Sequence, residues 1–182
     1  MTSKLKVNLI NDGGDNNIIT SDGSGVITSS KFKIGQVINS SNSTNQVITA
    51  TSYTDINSGG SLWETSITPS STSSKILITG CIICNSYYNG SNNNRSAMKV
   101  LHKVGSGSYS DTKIFNEVIG VYDYGNSGIW QASNTPISTL LSPSTTDAVT
   151  FKFQAKAMVS GVTFVINTSS NTSELTLMEV LP

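Results

Sequence analysis

The chain has 182 residues, room for one ordinary domain or one domain with a short extension. Eleven basic residues balance eleven acidic ones, and Arg95 is the single arginine. That argues against an electrostatic nucleic-acid binder, because phosphate binding draws on clustered Lys/Arg. No apolar run approaches the roughly 18 residues that cross a membrane, and the first ten residues lack the continuous apolar stretch of a secretory signal. The expected setting is a soluble protein, assembled in the cytoplasm and without a membrane span.

Polarity resides in uncharged side chains: 31 Ser, 21 Thr and 18 Asn, against 31 Ile plus Val and only 6 Ala. An apolar alphabet that is β-branched and poor in alanine favours pleated, half-buried surfaces over helices. The reading is an all-β protein.

Residues 1–50 hold a single aromatic, Phe32, and are dense in turn formers, as in Asn11-Asp-Gly-Gly-Asp-Asn-Asn17 and Ser21-Asp-Gly-Ser-Gly25. Short β-branched pieces surround these turns: Ile18-Ile-Thr20, Val26-Ile-Thr28, Ile34 to Ile38 and Val47-Ile-Thr49. Ile19-Thr20-Ser21 and Ile27-Thr28-Ser29 echo each other across a Gly-containing loop, a hairpin signal. So few large side chains bury too little surface to offset chain entropy alone. Residues 1–50 are therefore expected to be an extended or hairpin docking and oligomerisation segment, ordered against the remainder, sister chains or a larger assembly.

From there the strand-like runs are about 46–54, 62–67, 75–86, 95–104, 112–122, 128–140, 148–158, 161–167 and 173–181. Turn chemistry separates them, as in Asn57-Ser-Gly-Gly60, Asn89-Gly-Ser-Asn-Asn-Asn94 and Gly125-Asn-Ser-Gly128. Val149, Phe151, Phe153, Ala155 and Ala157 alternate with Thr150, Lys152, Gln154 and Lys156, one face apolar and the other wet. In the last run Leu175, Leu177 and Glu179 alternate with Thr176, Met178 and Val180, so both faces are largely apolar. Such a strand belongs in mid-sheet or at a subunit interface. Eight or nine strands without helical spacers give residues 51–182 the expected form of an antiparallel jelly-roll β-sandwich.

Cys81-Ile-Ile-Cys84 has the spacing of a redox pair or half a zinc site. It sits in a strand-like run, however, where residues three apart point to opposite faces, and a second ligand pair is absent. Both are expected to be structural thiols, with no metal or cofactor bound. The lone His102 lies in a strand pattern between lysines, with Asp111 or Asp123 the nearest thought of as an orienting acid, and no nucleophile elbow is present. Glu64, Glu117, Asp123 and Glu179 are scattered singly and assign no glycosidase pair. Asp12-Gly-Gly-Asp15 and Asp22-Gly-Ser-Gly25 read as turns rather than calcium loops.

Leu62-Trp63, then Ser66-Ile-Thr-Pro-Ser-Ser-Thr-Ser-Ser-Lys-Ile-Leu-Ile78, Leu141-Ser-Pro143 ahead of Val149-Thr-Phe-Lys152, and Leu175-Thr-Leu-Met-Glu-Val180 together resemble a C-terminal domain of bacteriophage tail-fibre-like and virion structural proteins. Ser3-Lys-Leu-Lys-Val-Asn8, Asp22-Gly-Ser-Gly25 and Lys33-Ile-Gly-Gln-Val37 are similar to the lead-in of the same proteins. These are strand-and-turn patterns without chemistry. The resemblance implies a virion component with a jelly-roll head, usually a homotrimer, displayed outward and concerned with host attachment. The chain is short for such a fibre.

Tyr87, Tyr88, Asn92, Tyr122, Tyr124 and Trp130 lie at or beside expected loops rich in Asn, Ser and Gly, as does Tyr109. Rigid amphipathic rings beside adaptable hydrogen-bonding groups have the composition of a paratope, so the first six are the candidate ligand-binding residues for a host-surface glycan or receptor; the bland alternative is that they cap the sandwich or fill a trimer contact. The sequence thus points to a non-enzymatic virion structural protein. A short trimeric appendage docked on other virion proteins through residues 1–50 stands first. A capsid-decorating cement protein is the alternative, and a glycan hydrolase a distant third.

Overall fold

β-Branched runs bounded by Gly, Asn and Ser fold into strands throughout a computed structural model, which describes residues 9–11, 17–21, 27–29, 34–88, 94–121, 129–168 and 170–182. A small antiparallel meander comes first: β1 (Leu9–Asn11), β2 (Asn17–Ser21) and β3 (Ile27–Ser29). The expected hairpin is its second half, with Ile19 opposite Ser29 and Thr20 opposite Thr28. Then come β4 (Ile34–Asn42), β5 (Gln46–Ile48), β6 (Thr54–Asp55), β7 (Asn57–Ser58), β8 (Ser61–Leu62) and β9 (Glu64–Ile67). The long strands follow: β10 (Lys75–Tyr88), β11 (Asn94–Val104), β12 (Ser110–Val121), β13 (Ile129–Leu141), β14 (Val149–Ala157), β15 (Val162–Ile166) and β16 (Ser173–Val180).

Two antiparallel sheets face each other. In the first, β10 pairs on one flank with β13. On the other flank β16 takes Lys75–Cys81 and β15 takes Cys84–Tyr88, lying end to end. Beyond them β4 pairs with β16 and β5 with β15. In the second sheet the order is β12, β11, β14, with β9 and β6 end to end on the far flank of β14. Four strand paths per sheet, with chain crossings between sheets after β5, β9, β10, β12, β13 and β14, make an antiparallel jelly roll. The last strand sits in mid-sheet, as its two apolar faces require. Pairing reaches back to Ile34, so Ile34–Ile48 belongs to the first sheet; an edge path is held largely by backbone bonds and needs few large side chains.

Between the sheets lies a dry core of Ile76, Ile78, Ile82, Leu175, Leu177 and Phe164 against Met98, Val100, Phe151, Phe153 and Ile67. Trp63 packs on Phe153 with ring centroids 4.8 Å apart, and its Nε1 donates to Ser40 Oγ at 2.9 Å. Burying this indole with its N–H satisfied ties the two sheets through one side chain. At the β7–β8 hairpin, Gly59 (φ 60°) and Gly60 (φ 84°) occupy the two left-handed positions of a primed turn, which glycine adopts without strain.

The interruptions in the paired paths β4/β5 and β15/β16 face each other around a buried polar pin. Asn167, in the left-handed conformation at φ 54°, donates from Nδ2 to Asn42 O at 2.7 Å and Thr44 O at 3.2 Å. Ser173 Oγ donates to Asn167 Oδ1 and accepts from Ile83 N at 2.9 Å. Asn42 Oδ1 accepts from Thr44 N and its Nδ2 donates to Asn57 O, both at 2.9 Å. Asn42, Asn167 and Ser173 are at most 1% exposed. Backbone groups released where the strands break find partners here, as buried polar groups must.

Candidate functional site

Register brings part of the expected aromatic cluster together. Tyr87 faces Trp130 across the β10–β13 pair, and Tyr88 faces Ile129. β11 begins at Asn94 opposite Val121 of β12. The connections from Tyr88 to Asn94 and from Val121 to Ile129 thus leave and re-enter the sheets at one end of the sandwich. Tyr87 is half-buried. Asn92, Tyr122 and Tyr124 lie outside the described residues, and Tyr88 and Trp130 are placed by backbone alone.

The structure assembles a second cluster that sequence reading missed, on the outer face of the second sheet. Lys99 and Lys103 of β11 and Lys152 and Lys156 of β14 point outward, and the register sets them diagonally, Lys103 with Lys152 and Lys99 with Lys156. Each diagonal pair is covered by one tyrosine. The ammonium groups of Lys103 and Lys152 lie 4.7 and 4.4 Å from the Tyr109 ring centre, and those of Lys99 and Lys156 both lie 4.7 Å from that of Tyr53. Carboxylates interleave: Lys152 with Asp55 at 2.8 Å, Lys99 with Asp111 at 2.8 Å, Lys103 with Glu64 at 3.7 Å.

The two halves of this face differ. Tyr109 donates its hydroxyl to Glu64; burial and the adjoining carboxylate push the phenol well above its ordinary range. Asp55 accepts from Lys152 and from Gln154 Nε2 at 2.8 Å; burial alone would raise its pKa, but these bonds outweigh it and hold the carboxyl below the usual value. The Tyr109 half is therefore closed on itself. In the Tyr53 half the one carboxylate, Asp111, pairs with Lys99, and among the described residues neither Lys156 nor the Tyr53 hydroxyl has a hydrogen-bonding partner. The cluster also explains why the expected wet face of β14 is covered: Thr150 is 8% and Lys152 9% exposed beneath Tyr109 and β9.

The outer face of the first sheet is the opposite in character. Val37, Met178, Leu77 and Leu140 form one register row across all four strand paths, and Val37 and Leu140 remain 52% and 53% exposed. The next row is small and polar: Asn39, Thr176, Thr79 and Ser138. By strand alternation, only Lys75 and Glu174 bring charge to this face among the described residues.

The catalytic candidates are not brought together. His102 Nδ1 bonds Thr112 Oγ1 at 2.8 Å, its pKa lowered by burial, while Asp111 turns to Lys99 and does not orient it. Glu64 lies outside the second sheet and Glu179 is buried in the first, bonded to Ser70. Asp123, Asp12–Asp15 and Asp22–Gly25 fall outside the described residues, and the Glu117 side chain is not described. Cys84 points into the core and Cys81 outward, so the thiols stay free. Among the described residues no group of three His, Cys, Asp or Glu side chains could hold a metal ion, and no helix is long and apolar enough to cross a membrane.

No family model matches the chain, and no curated protein is similar to it. Among solved structures it is similar to three from infectious bursal disease virus. For the Gx strain the identity is 8% and the TM-score 0.32, over 87% of this chain and 45% of that one. For the VP2 subviral particle the values are 11% and 0.34, over 87% and 41%. For the Gt strain they are 7% and 0.32, over 89% and 44%. The chain therefore spans less than half the length of each structure it matches.

Proposed function

We propose that this chain is a non-enzymatic virion structural protein, a short trimeric appendage of a bacteriophage that presents a jelly-roll head to the host surface. The observation that carries the reading is the contrast between the two outer sheet faces. One is nearly free of charge and crossed by the row Val37, Met178, Leu77 and Leu140; the other carries four lysines, two tyrosines and three carboxylates. A face of few charges and a continuous apolar row suits contact with sister chains, where desolvated charge is costly. The Lys–Tyr face then points outward. Three copies on one particle convert weak attachment into avid attachment through effective concentration.

Residues 1–50, of which Ile34–Ile48 also pairs into the first sheet, are the segment proposed to dock on other virion proteins. Gold-labelled antibody against the chain, applied to purified particles, tests the reading. Label at the tail supports an appendage, label spread over the head shell supports the cement-protein alternative, and particles without label contradict both. Release of new reducing ends from host polysaccharide by the purified protein would overturn the non-enzymatic assignment.

A further inference from the structure

The Lys–Tyr face repeats itself. Each unit is a diagonal lysine pair under one tyrosine, and the units are offset by four residues along β11 and β14 (Lys103 to Lys99, Lys152 to Lys156), about 13 Å at the rise of a strand. Like charges this close on a sheet destabilise it unless something neutralises them. In the Tyr109 unit Glu64 and Asp55 do so from within the chain. In the Tyr53 unit Asp111 answers Lys99, and one positive charge is left over at Lys156. Beside that charge lies a tyrosine ring with an open hydroxyl, and on the far side of Lys99 lies Asp111, whose side chain is 46% exposed; Gln154 turns its amide to Asp55 instead.

We infer that the Tyr53 unit is a binding site for an acidic sugar residue, whose carboxylate or sulfate sits at Lys156 and Lys99 and whose hydroxyls bond Asp111 and Tyr53. The surplus cation supplies the missing anion's site. A ring with an open hydroxyl and a carboxylate that accepts hydroxyl protons distinguish a sugar from a bare anion. This rests on the attachment reading above and names the ligand class for it. Glu64 and Asp55 occupy the corresponding positions of the Tyr109 unit, so that unit is no second site.

The test is binding of the intact chain to polygalacturonate, dextran sulfate and neutral dextran at about 0.15 M salt, where diffuse surface attraction is largely screened. The expected result is binding to polygalacturonate (carboxylate) or dextran sulfate (sulfate), and not to neutral dextran. Lys156→Gln and Tyr53→Ala should each weaken it about tenfold, while Lys103→Gln changes it less than about twofold, as paired surface charges contribute little. Unchanged thermal midpoints confirm that the variants fold. Equal binding to dextran, no binding to any of the three, or equal losses in Lys156→Gln and Lys103→Gln would overturn the site. Adsorption of labelled protein to host cells separates the two claims: adsorption without acidic-polymer binding removes this site and leaves the attachment reading, whereas polymer binding without adsorption does the reverse.

Discussion

Asn167 donates from its side-chain amide to the carbonyl oxygen of Asn42 at 2.7 Å, joining two strand paths at the place where both are broken. The neighbouring bonds come from Ser173, Thr44 and Ile83. The first sheet keeps its edge because a polar network is fully closed there, and a network of that kind is costly to open in part.

Asn167→Ala should therefore destabilise the fold by about 2–3 kcal/mol, since it leaves buried carbonyls and a buried hydroxyl without partners. Asn171→Ala, on the exposed side of the same connection, should stay within about 0.5 kcal/mol. Urea denaturation of both variants checks this. Equal midpoints for the two would remove the pin from the account.

Glu179 is a carboxylate inside the sandwich, 1% exposed, accepting Ser70 N and Ser70 Oγ at 2.6 Å and Gln36 N at 3.4 Å. Burial alone would raise its pKa; these hydrogen bonds outweigh it and hold the group below the ordinary glutamate value. A depressed folded pKa stabilises above the unfolded value of about 4.3 and is lost as pH falls through the folded one. Stability should thus fall more steeply below about pH 4.5 in the parent than in Glu179→Gln. At pH 7 that variant should be the weaker by about 1.5–3 kcal/mol, the worth of hydrogen bonds to a charged group. Denaturation midpoints across pH 3–7 decide it, and parallel profiles would contradict the latch.

Cys84 is buried, and burial pushes its thiol up to about 11; a hydrogen bond with Thr135 offsets this only in part. Cys81, outward on β10, is only half-buried. In the Leu77→Lys with Leu140→Lys variant, whose outer face is free of sister chains, an aromatic disulfide reagent at pH 8 should modify one thiol before unfolding and the second only on unfolding, because the thiolate is the reacting form. Two thiols reacting at one rate would contradict the placement on opposite faces.

What the sequence discloses follows from how each residue acts. Val149, Phe151 and Phe153 announce their burial because alternation is itself the cause of it, and the long strands are read close to their observed ends. Ile34–Asn42 gives no such signal: most of its side chains are exposed, and backbone bonds to β16 make it a strand. Asn42 and Asn167 look like every other Asn in a chain holding 18 of them. Tyr53 and Tyr109 meet their lysines only through the β11–β14 register and the loops beside it, a relationship between distant segments that no local pattern contains. The aromatic run around Tyr87 was legible as composition, and the β10–β13 register supplies the one pairing the described residues show, Tyr87 with Trp130.

The mass of the assembly in solution, measured by light scattering at micromolar concentration for the parent chain and for Leu77→Lys with Leu140→Lys, bears most directly on the proposal that one sheet face meets sister chains and the other meets the host. The account expects three times the 19.3 kDa chain mass for the parent and a folded monomer for the double variant. A parent that runs as a 19.3 kDa monomer, or a double variant that remains trimeric, would contradict it.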